Sequence, residues 1–349
     1  MDSILVLNAG STSLKYKLFD KDSFNVLKKG YFENLPNGGR GHQQAFRDTL
    51  RQIGNLTDIK AVGHRVVHGG PDFRKPTLLD EEVLKNLSKY NQLAPLHNPY
   101  NLAVARAAKM YLSDIPHLAC FDTGFYDGLP DRAKIYALPL EYYEKYGIQR
   151  FGFHGISHQY VACQAAKILK RNLNKINLIT CHLGGGCSIA AIKQGRPIDT
   201  SMGFTPLEGL VMMMRSGDID PGLLFYLNRE RALSVQEIDH LLNHESGMLG
   251  LAGTSNFLKL LRAVRQGNKK AKLAFDIFVY RVQKYISAYW GILGGAQAVV
   301  FTADIGAGKA YTRQAICRGL KFLKKTKILA IPTDEELAIA QEVKKILGP

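Results

Sequence analysis

The sequence predicts an α/β protein built from two related domains, and three observations carry that expectation. The first is a device used twice. The apolar run at 4–7 leads into Asn8-Ala9-Gly10-Ser11-Thr12-Ser13-Leu14-Lys15, and the run at 178–181 leads into His182-Leu183-Gly184-Gly185-Gly186-Cys187. Each reads as a β-hairpin whose turn offers backbone N–H groups and hydroxyls, a concavity suited to phosphate oxygens. Second, strand-like and helix-like segments alternate with no obvious linker and no low-complexity stretch, the pattern of layered α/β folds. Third, a chain of 349 residues that is 46% hydrophobic can bury two cores rather than one. Two such turns imply two domains gripping a polyphosphate between them.

The elements follow in order. Residues 1–20 read as a strand pair and 43–54 as a helix. A β-branched strand at 61–67 ends in His68-Gly69-Gly70. Helices at 81–90 and 101–110 flank the loop Ala94-Pro95-Leu96-His97-Asn98-Pro99, and a strand at 115–121 runs into Asp122-Thr123-Gly124. A helix at 158–169 precedes the second hairpin, 178–193. Beyond Pro206 the rhythm is mainly helical, at 221–227, 234–243, 257–265 and 269–293. A strand at 298–302, a turn at 304–308, a helix from Tyr311, a strand at 328–332 and a helix from Asp334 complete the pattern. Asp334, Glu335 and Glu336 open that last helix, where the helix dipole favours negative charge.

A formal net charge of +16 fits an anionic ligand or a nucleic acid. The basic residues are dispersed, with short clusters only at 262–272 and 321–327, and no nucleic-acid-binding signature is present. No nucleic-acid partner is expected. The five cysteines, at 120, 163, 181, 187 and 317, form no CxxC pair. Neither disulfides nor structural zinc are expected, and a cytoplasmic location is. The N-terminus lacks a charged leader and the weakly polar stretch 290–303 is too short and glycine-rich to span a bilayer. A soluble protein with no membrane partner is expected.

Several residues carry chemistry. Ser11, Thr12 and Ser13 with Lys15 point at one anion, the alternative being an ordinary hairpin turn with a surface lysine. Gly184, Gly185 and Gly186 destabilise any regular element, so they mark either a flexible loop or a close backbone approach to a ligand. Asp304-Ile305-Gly306-Ala307-Gly308-Lys309-Ala310 looks like a Walker A loop but has alanine at 303 and 310, where that motif needs glycine and a hydroxyl. His64 and His68, like His154 and His158, stand four apart. The first pair lies on a strand pattern and the second lacks the glutamate of a metalloprotease helix, so metal ligation is not favoured. Each segment instead presents one polar side chain, Arg65 and His154. Arg215, directly after buried methionines, must meet an anion: a substrate, or Asp218 or Asp220. Asp122 sits at a strand end, where α/β folds place ligand crevices.

These segments, in this order, resemble the acetate kinase family of the acetate and sugar kinase and actin superfamily. The runs are NAGSTSLK (8–15), GHRVVHGG (63–70), APLHNP (94–99), FDTGF (121–125), RFGFHGISH (150–158), HLGGGCSIAA (182–191), DTSMGFTPLEGL (199–210), RSGDIDPG (215–222), NHESGMLGL (243–251) and IPTDEELAIA (331–340). The resemblance implies two ribonuclease-H-like, actin-like domains with a cleft between them. It divides the chain into residues 1–126 plus 334–349, and 127–333, the latter carrying the nucleotide side and dimer contacts. It implies a homodimer, and reversible phosphoryl transfer from ATP to acetate, giving acetyl phosphate and ADP. By the same resemblance Asn8 and Glu335 hold Mg2+, or Mn2+ in its place. Ser11, Thr12, Ser13, Lys15, the segment His182, Leu183, Gly184, Gly185 and Gly186, and the loop Asp304, Ile305, Gly306, Ala307 and Gly308 face the nucleotide. Arg65 binds the acid's carboxylate, and Val67, Leu96, Phe153 and Pro206 line its alkyl pocket. Asp122, His154 and Arg215 serve catalysis.

Departures from that family gather on the nucleotide side. Gly185 stands where an asparagine is usual, and Asp304 where a glycine lets the backbone lie close to the adenosine. An aspartate and an arginine are missing near 256–259, and the chain is short between Phe322 and Ile328. They raise two alternatives: the same chemistry with pyrophosphate as donor, or a relative without catalysis. Separately, a pocket narrowed by Val67 favours acetate over propionate by only about 1–3 kcal/mol, so propionate is expected as a second acid.

Overall fold

The computed structural model describes residues 2–36 and 39–348. It divides into two units, one of Met1–Asp127, Phe153–Tyr160 and Asp334–Pro349, the other of Gly128–Gly152 and Val161–Thr333.

The first unit is built on β1 (Ser3–Ala9), β2 (Leu14–Asp20), β3 (Val26–Phe32), β4 (Ile59–Val66), the two-residue β5 (Thr77–Leu78) and β6 (His117–Phe121), in the order β3-β2-β1-β4-β6-β5. The second uses β7 (Asn177–Leu183), β8 (Cys187–Lys193), β9 (Arg196–Thr200), β10 (Ala298–Thr302) and β11 (Lys327–Ala330), in the order β11-β10-β7-β8-β9. In each sheet the unit's first three strands form antiparallel hairpins. Two further strands then run parallel on the other side of the first. That order, used twice, is the ribonuclease-H-like sheet the resemblance implied.

Alternation decides which side chains face which layer. On β1, Leu5, Leu7 and Ala9 join a core with Phe46, Leu50 and Ile53 of helix Arg40–Ile53 and Val104 and Ala108 of helix Asn98–Tyr111. Ile4 and Val6 face the other way, onto Ile339, Ala340 and Val343 of helix Glu335–Leu347. Gly63 on β4 is fixed by that contact, because a Cβ there would lie 2.5 Å from Ile339 Cγ2. Asp334 caps the helix by accepting from Leu337 N, 2.9 Å away.

Three strands were not foreseen. β3 is a lysine-bearing edge whose residues are mostly exposed, and β9 contains Pro197, so neither shows an apolar alternation. β5 is too short to leave a pattern. The expected turn at 304–308 winds into a single helical turn, Ala303–Gly306. Helix Asn98–Tyr111 begins three residues before its expected start, since Pro99 sits in the first turn, where its missing N–H costs nothing.

Candidate active site

In the first unit, Asn8, Arg65 and Asp122 leave the C-terminal ends of β1, β4 and β6, three neighbouring strands. Arg65 donates from Nε to Asp122 Oδ1 at 3.0 Å, from Nη2 to Oδ2 at 2.6 Å and from Nη1 to Asn8 Oδ1 at 3.1 Å. Glu335 Oε2 lies 3.6 Å from the same Nη1. Asn8 donates Nδ2 to Glu336 Oε1 at 2.7 Å and to Glu335 Oε2 at 3.3 Å, which leaves its Oδ1 turned toward Arg65. Lys17 on β2 holds the start of helix Glu335–Leu347, with Nζ 2.7 Å from Asp334 Oδ2 and 3.4 Å from Glu336 Oε2. The Asp122 side chain is only 1% exposed, so its ion pair is made in a dry environment, where a bidentate arginine fork is strongest. Burial alone would lower the Arg65 pKa, but Asp122, Glu335 and Glu336 outweigh it and raise it. The Lys17 pKa is raised in the same way, Asp334 and Glu336 overcoming burial.

The other expected residues of this unit are placed as follows. Lys15 sits directly opposite Asn8 in the β1–β2 register, exposed, with Nζ 5.2 Å from the Tyr31 ring centroid. The Ser11–Ser13 turn closes through Gly10 N donating to Ser13 O at 2.8 Å. The three hydroxyls have no hydrogen-bond partner among the described residues. Val67 and Phe153 are buried and Leu96 is half-buried. His154 has φ +56°, an uncommon conformation for a residue with a side chain and one that gathers at functional sites. The next residue must be glycine: Gly155 N donates to Asp122 O at 2.8 Å, and a Cβ there would lie 2.2 Å from that oxygen. The strained turn thus holds His154 beside Asp122.

In the second unit the corresponding strand ends present mainly backbone. Thr302 pairs with His182 at the ends of β10 and β7, which brings the two glycine-bearing segments together. A Cβ on Gly184 would lie 3.4 Å from Ala303 Cβ, and one on Gly306 would lie 3.5 Å from Leu183 Cβ. Gly184 N donates to Gly186 O at 3.0 Å, and Gly185 O accepts from Met213 N at 3.3 Å. Asp304 is exposed, while Arg313 Nη1 donates to Gly306 O and Gly308 O, both at 2.8 Å, steadying the loop.

Arg215 is partly buried and donates Nη1 to Pro206 O at 2.7 Å. Neither Asp218 nor Asp220 takes its charge. Asp218 is occupied by Gly209 N and Tyr285 Oη, at 2.7 and 2.8 Å, and Asp220 by Gly222 N at 2.8 Å. No carboxylate lies within ion-pair distance of Arg215 among the described residues. Burial lowers its pKa, although the nearby Cys187 opposes that. The segment is rigid all the same: Met248 N and Leu249 N bond Met212 O and Met213 O at 3.0 Å, and Met212 N bonds Arg215 O at 3.1 Å.

The sequence did not point to Lys17, nor to Glu336 as the shorter bond to Asn8; both act through a helix more than three hundred residues away. It also passed over His42, Asn98 and Asn101, which bind the backbone of the strand ends. The reading of His64 as a strand residue fits its place on β4, where it lies buried with Nε2 3.0 Å from His117 Nδ1. Among the described residues no group of three His, Cys, Asp or Glu side chains is arranged to hold a metal by itself, and no helix is long and apolar enough to cross a membrane.

One sheet order used twice, with a charged cluster at the strand ends of one unit and glycine turns at those of the other, defines a two-domain ribonuclease-H-like protein. Residues 37–325 match the acetokinase family. An acetate kinase of Halothermothrix orenii is 43% identical over 99% of this chain and 99% of its own length. The crystal structure of the Porphyromonas gingivalis acetate kinase superposes with a TM-score of 0.92 at 35% identity, covering all of both chains. A propionate kinase of Francisella tularensis gives 0.90 at 37% identity, covering 98% of this chain and 99% of its own. The chain belongs to the acetokinase family.

Proposed function

We propose that this protein transfers the γ-phosphoryl group of ATP to acetate, reversibly and by direct in-line displacement, giving acetyl phosphate and ADP. The carrying observation is the cluster of Asn8, Arg65, Asp122 and Glu335, which unites four residues from the two ends of the chain on one sheet face. An acetate oxygen attacks the γ-phosphorus while the bond to the β-phosphate oxygen breaks and ADP leaves. Acetate is already ionised at neutral pH, so no general base is needed. Asp122 therefore orients Arg65 instead of abstracting a proton. The Arg65 N–H groups not spent on Asp122 and Asn8 remain for the substrate carboxylate. Val67, Leu96 and Phe153 of the first unit offer apolar surface for the methyl end. Arg215 meets the transferring group with a charge that no carboxylate among the described residues has claimed, and His154 donates to one of its equatorial oxygens. Lys15, the Ser11–Ser13 hydroxyls and the N–H groups of 182–186 and 304–308 take the remaining phosphates.

Asn8 Oδ1 and Glu335 Oε2 both face Arg65 Nη1. Two oxygen donors without a complete protein cage suit magnesium, which keeps waters and substrate phosphates as ligands. Bound magnesium supplies positive charge against the phosphate oxygens. Manganese would fit the same donors. A homodimer is supported by helix Gly222–Arg231, which buries no residue and exposes Leu223, Phe225 and Tyr226. Cytoplasmic location fits the cysteine usage.

Pyrophosphate as donor is a second reading. It is supported by Asp304, an exposed carboxylate beside the Gly184–Gly186 turn where adenosine would approach. Propionate is a further acid, since one methylene costs only about 1–3 kcal/mol in an apolar pocket. The test is acyl phosphate formation from acetate or propionate, with magnesium and ATP, GTP or pyrophosphate in parallel. ATP and acetate are expected to give the highest kcat/KM. Formation with pyrophosphate alone would transfer the proposal to that donor. No acyl phosphate from any pair would end it.

A further inference from the structure

β1 and β4 pair in parallel only as far as Leu7 and His64. Beyond that point β1 stays with β2, through Ala9 opposite Leu14, while β4 follows β6, through Val66 opposite Phe121. A gap therefore opens between the strand carrying the Ser11–Ser13 turn and the strand carrying Arg65. One carboxamide spans it. Asn101 donates Nδ2 to Ala9 O at 2.7 Å and accepts from Val67 N at Oδ1, 3.0 Å away. Asn98, one helical turn earlier on the same face of helix Asn98–Tyr111, holds both polar groups of the His68 peptide, its Oδ1 accepting from N at 2.9 Å and its Nδ2 donating to O at 2.8 Å. On the other side His42 Nε2 donates to Gly10 O at 2.8 Å, with its ring stacked on Tyr100 at 4.7 Å. His42 and Asn98 are 0% and Asn101 2% exposed, so protein side chains, not exchanging solvent, make these bonds.

We propose that Asn101 is a positioning residue for phosphoryl transfer: its carboxamide fixes the separation between the phosphate turn and the Arg65 strand, with His42 and Asn98 anchoring the two sides. The proposal rests on the phosphoryl-transfer reading above. A strand gap set by a rigid amide holds donor phosphates and acid in register. Misplacement by about 1 Å costs a reaction of this kind up to about 100-fold.

The test compares the wild-type protein with Asn101→Leu and Asn101→Asp. Asn101→Leu keeps the volume and loses both bonds. Its kcat is expected to fall about 10–100-fold, with the KM for acetate changed far less, and the Val67 amide is expected to exchange hydrogen faster. The exchange measurement needs no activity, so it separates failure of the clamp from failure of the kinase reading, which wild-type turnover tests. Asn101→Asp adds a readout that a purely structural role would not move. Its protonated carboxyl can donate to Ala9 O and accept from Val67 N, and burial raises its pKa. The variant-to-wild-type ratio of kcat should therefore rise as pH falls. His42, His68 and Tyr100 face the same network, and taking that ratio at each pH removes the pH dependence that the two proteins share. A folded Asn101→Leu protein with unchanged kcat and unchanged Val67 exchange overturns the proposal. So does an Asn101→Asp profile parallel to the wild type.

Discussion

The two units share a sheet order and differ in what they place at the strand ends. In the first, the charged groups around Asn8 are already answered, Arg65 by Asp122, Asn8 and Glu335, and Lys17 by Asp334 and Glu336, while Lys15 stays exposed. In the second, the ends of β7 and β10 offer glycine backbone, and the irregular segment after β9 holds Arg215, whose partner is a carbonyl oxygen. The difference fits a division of labour. In the proposed reaction the first unit needs fixed geometry for a small carboxylate and a metal. The second needs access for a bulky polyanion and a charge not yet neutralised when that polyanion arrives. Preorganised charge aimed at the transition state is the largest single resource such chemistry has.

The contrast can be broken at its strongest point with Arg65→Ala. That change strands the nearly inaccessible Asp122 carboxylate without its ion pair. We expect both a stability loss of about 3–5 kcal/mol, read by denaturant unfolding, and loss of detectable acetyl phosphate formation. An Arg65→Ala protein of wild-type stability would mean the pair is not a structural element.

A smaller effect is expected from Gly63→Ala, which drives a methyl group into Ile339 and Val343 and lifts helix Glu335–Leu347 from the sheet. The loss should be about 1–3 kcal/mol, with a rise in the magnesium concentration needed for half-maximal rate, because Glu335 moves with the helix. An unchanged magnesium requirement would uncouple the helix from the metal.

Stability should also depend on pH through the first unit. His64 and His117 are buried, and burial lowers both pKa values, that of His64 well below the ordinary 6.5 with His117 contributing. Above about pH 6.5 the pair is neutral in both the folded and unfolded chains, so it adds no pH dependence. Below it the unfolded chain takes up protons that the folded chain refuses, and stability falls. The slope approaches about 1.4 kcal/mol per pH unit for each such group. Melting curves from about pH 7.5 to 5 should show this, and His64→Gln should flatten it. A variant curve parallel to the wild type would assign the acid sensitivity elsewhere.

The smallest stability effect is expected at Gly185→Ala. Nothing lies within 4 Å of a Cβ there, so stability should change by less than about 0.5 kcal/mol. If the phosphates lie against that backbone, the KM for ATP should nevertheless rise. An unchanged KM would remove the glycine turn from the nucleotide's path.

Much of this site was legible in the sequence because its chemistry is carried by residues with few other reasons to sit where they do. Arg65 in a β-branched strand, Asp122 at a strand end and hydroxyls after a buried strand each announce a polar task. The apolar run at 4–7 marked β1 as a buried strand. What stayed hidden depends on tertiary distance or on backbone partners. Lys17 looks like any solvated strand lysine until helix Glu335–Leu347 packs beside it. Asn98 reads as a loop residue and Asn101 as an ordinary helix start, because the carbonyl and N–H groups they bind leave no trace in the residue pattern. β3 was hidden because Lys28, Lys29 and Gly30 interrupt its apolar residues, and this exposed edge strand lacks the apolar rhythm that marks a buried one.

The central claim is that Arg215 is held ready for the substrate and not spent on the protein. Its most direct test is Arg215→Ala, with kcat for acetyl phosphate formation measured beside the thermal midpoint. A fall in kcat of about 1000-fold or more, with a midpoint within about 2 °C of the wild type, is the predicted result. A kcat close to wild type, or a loss of activity that only follows a loss of folded protein, would contradict it.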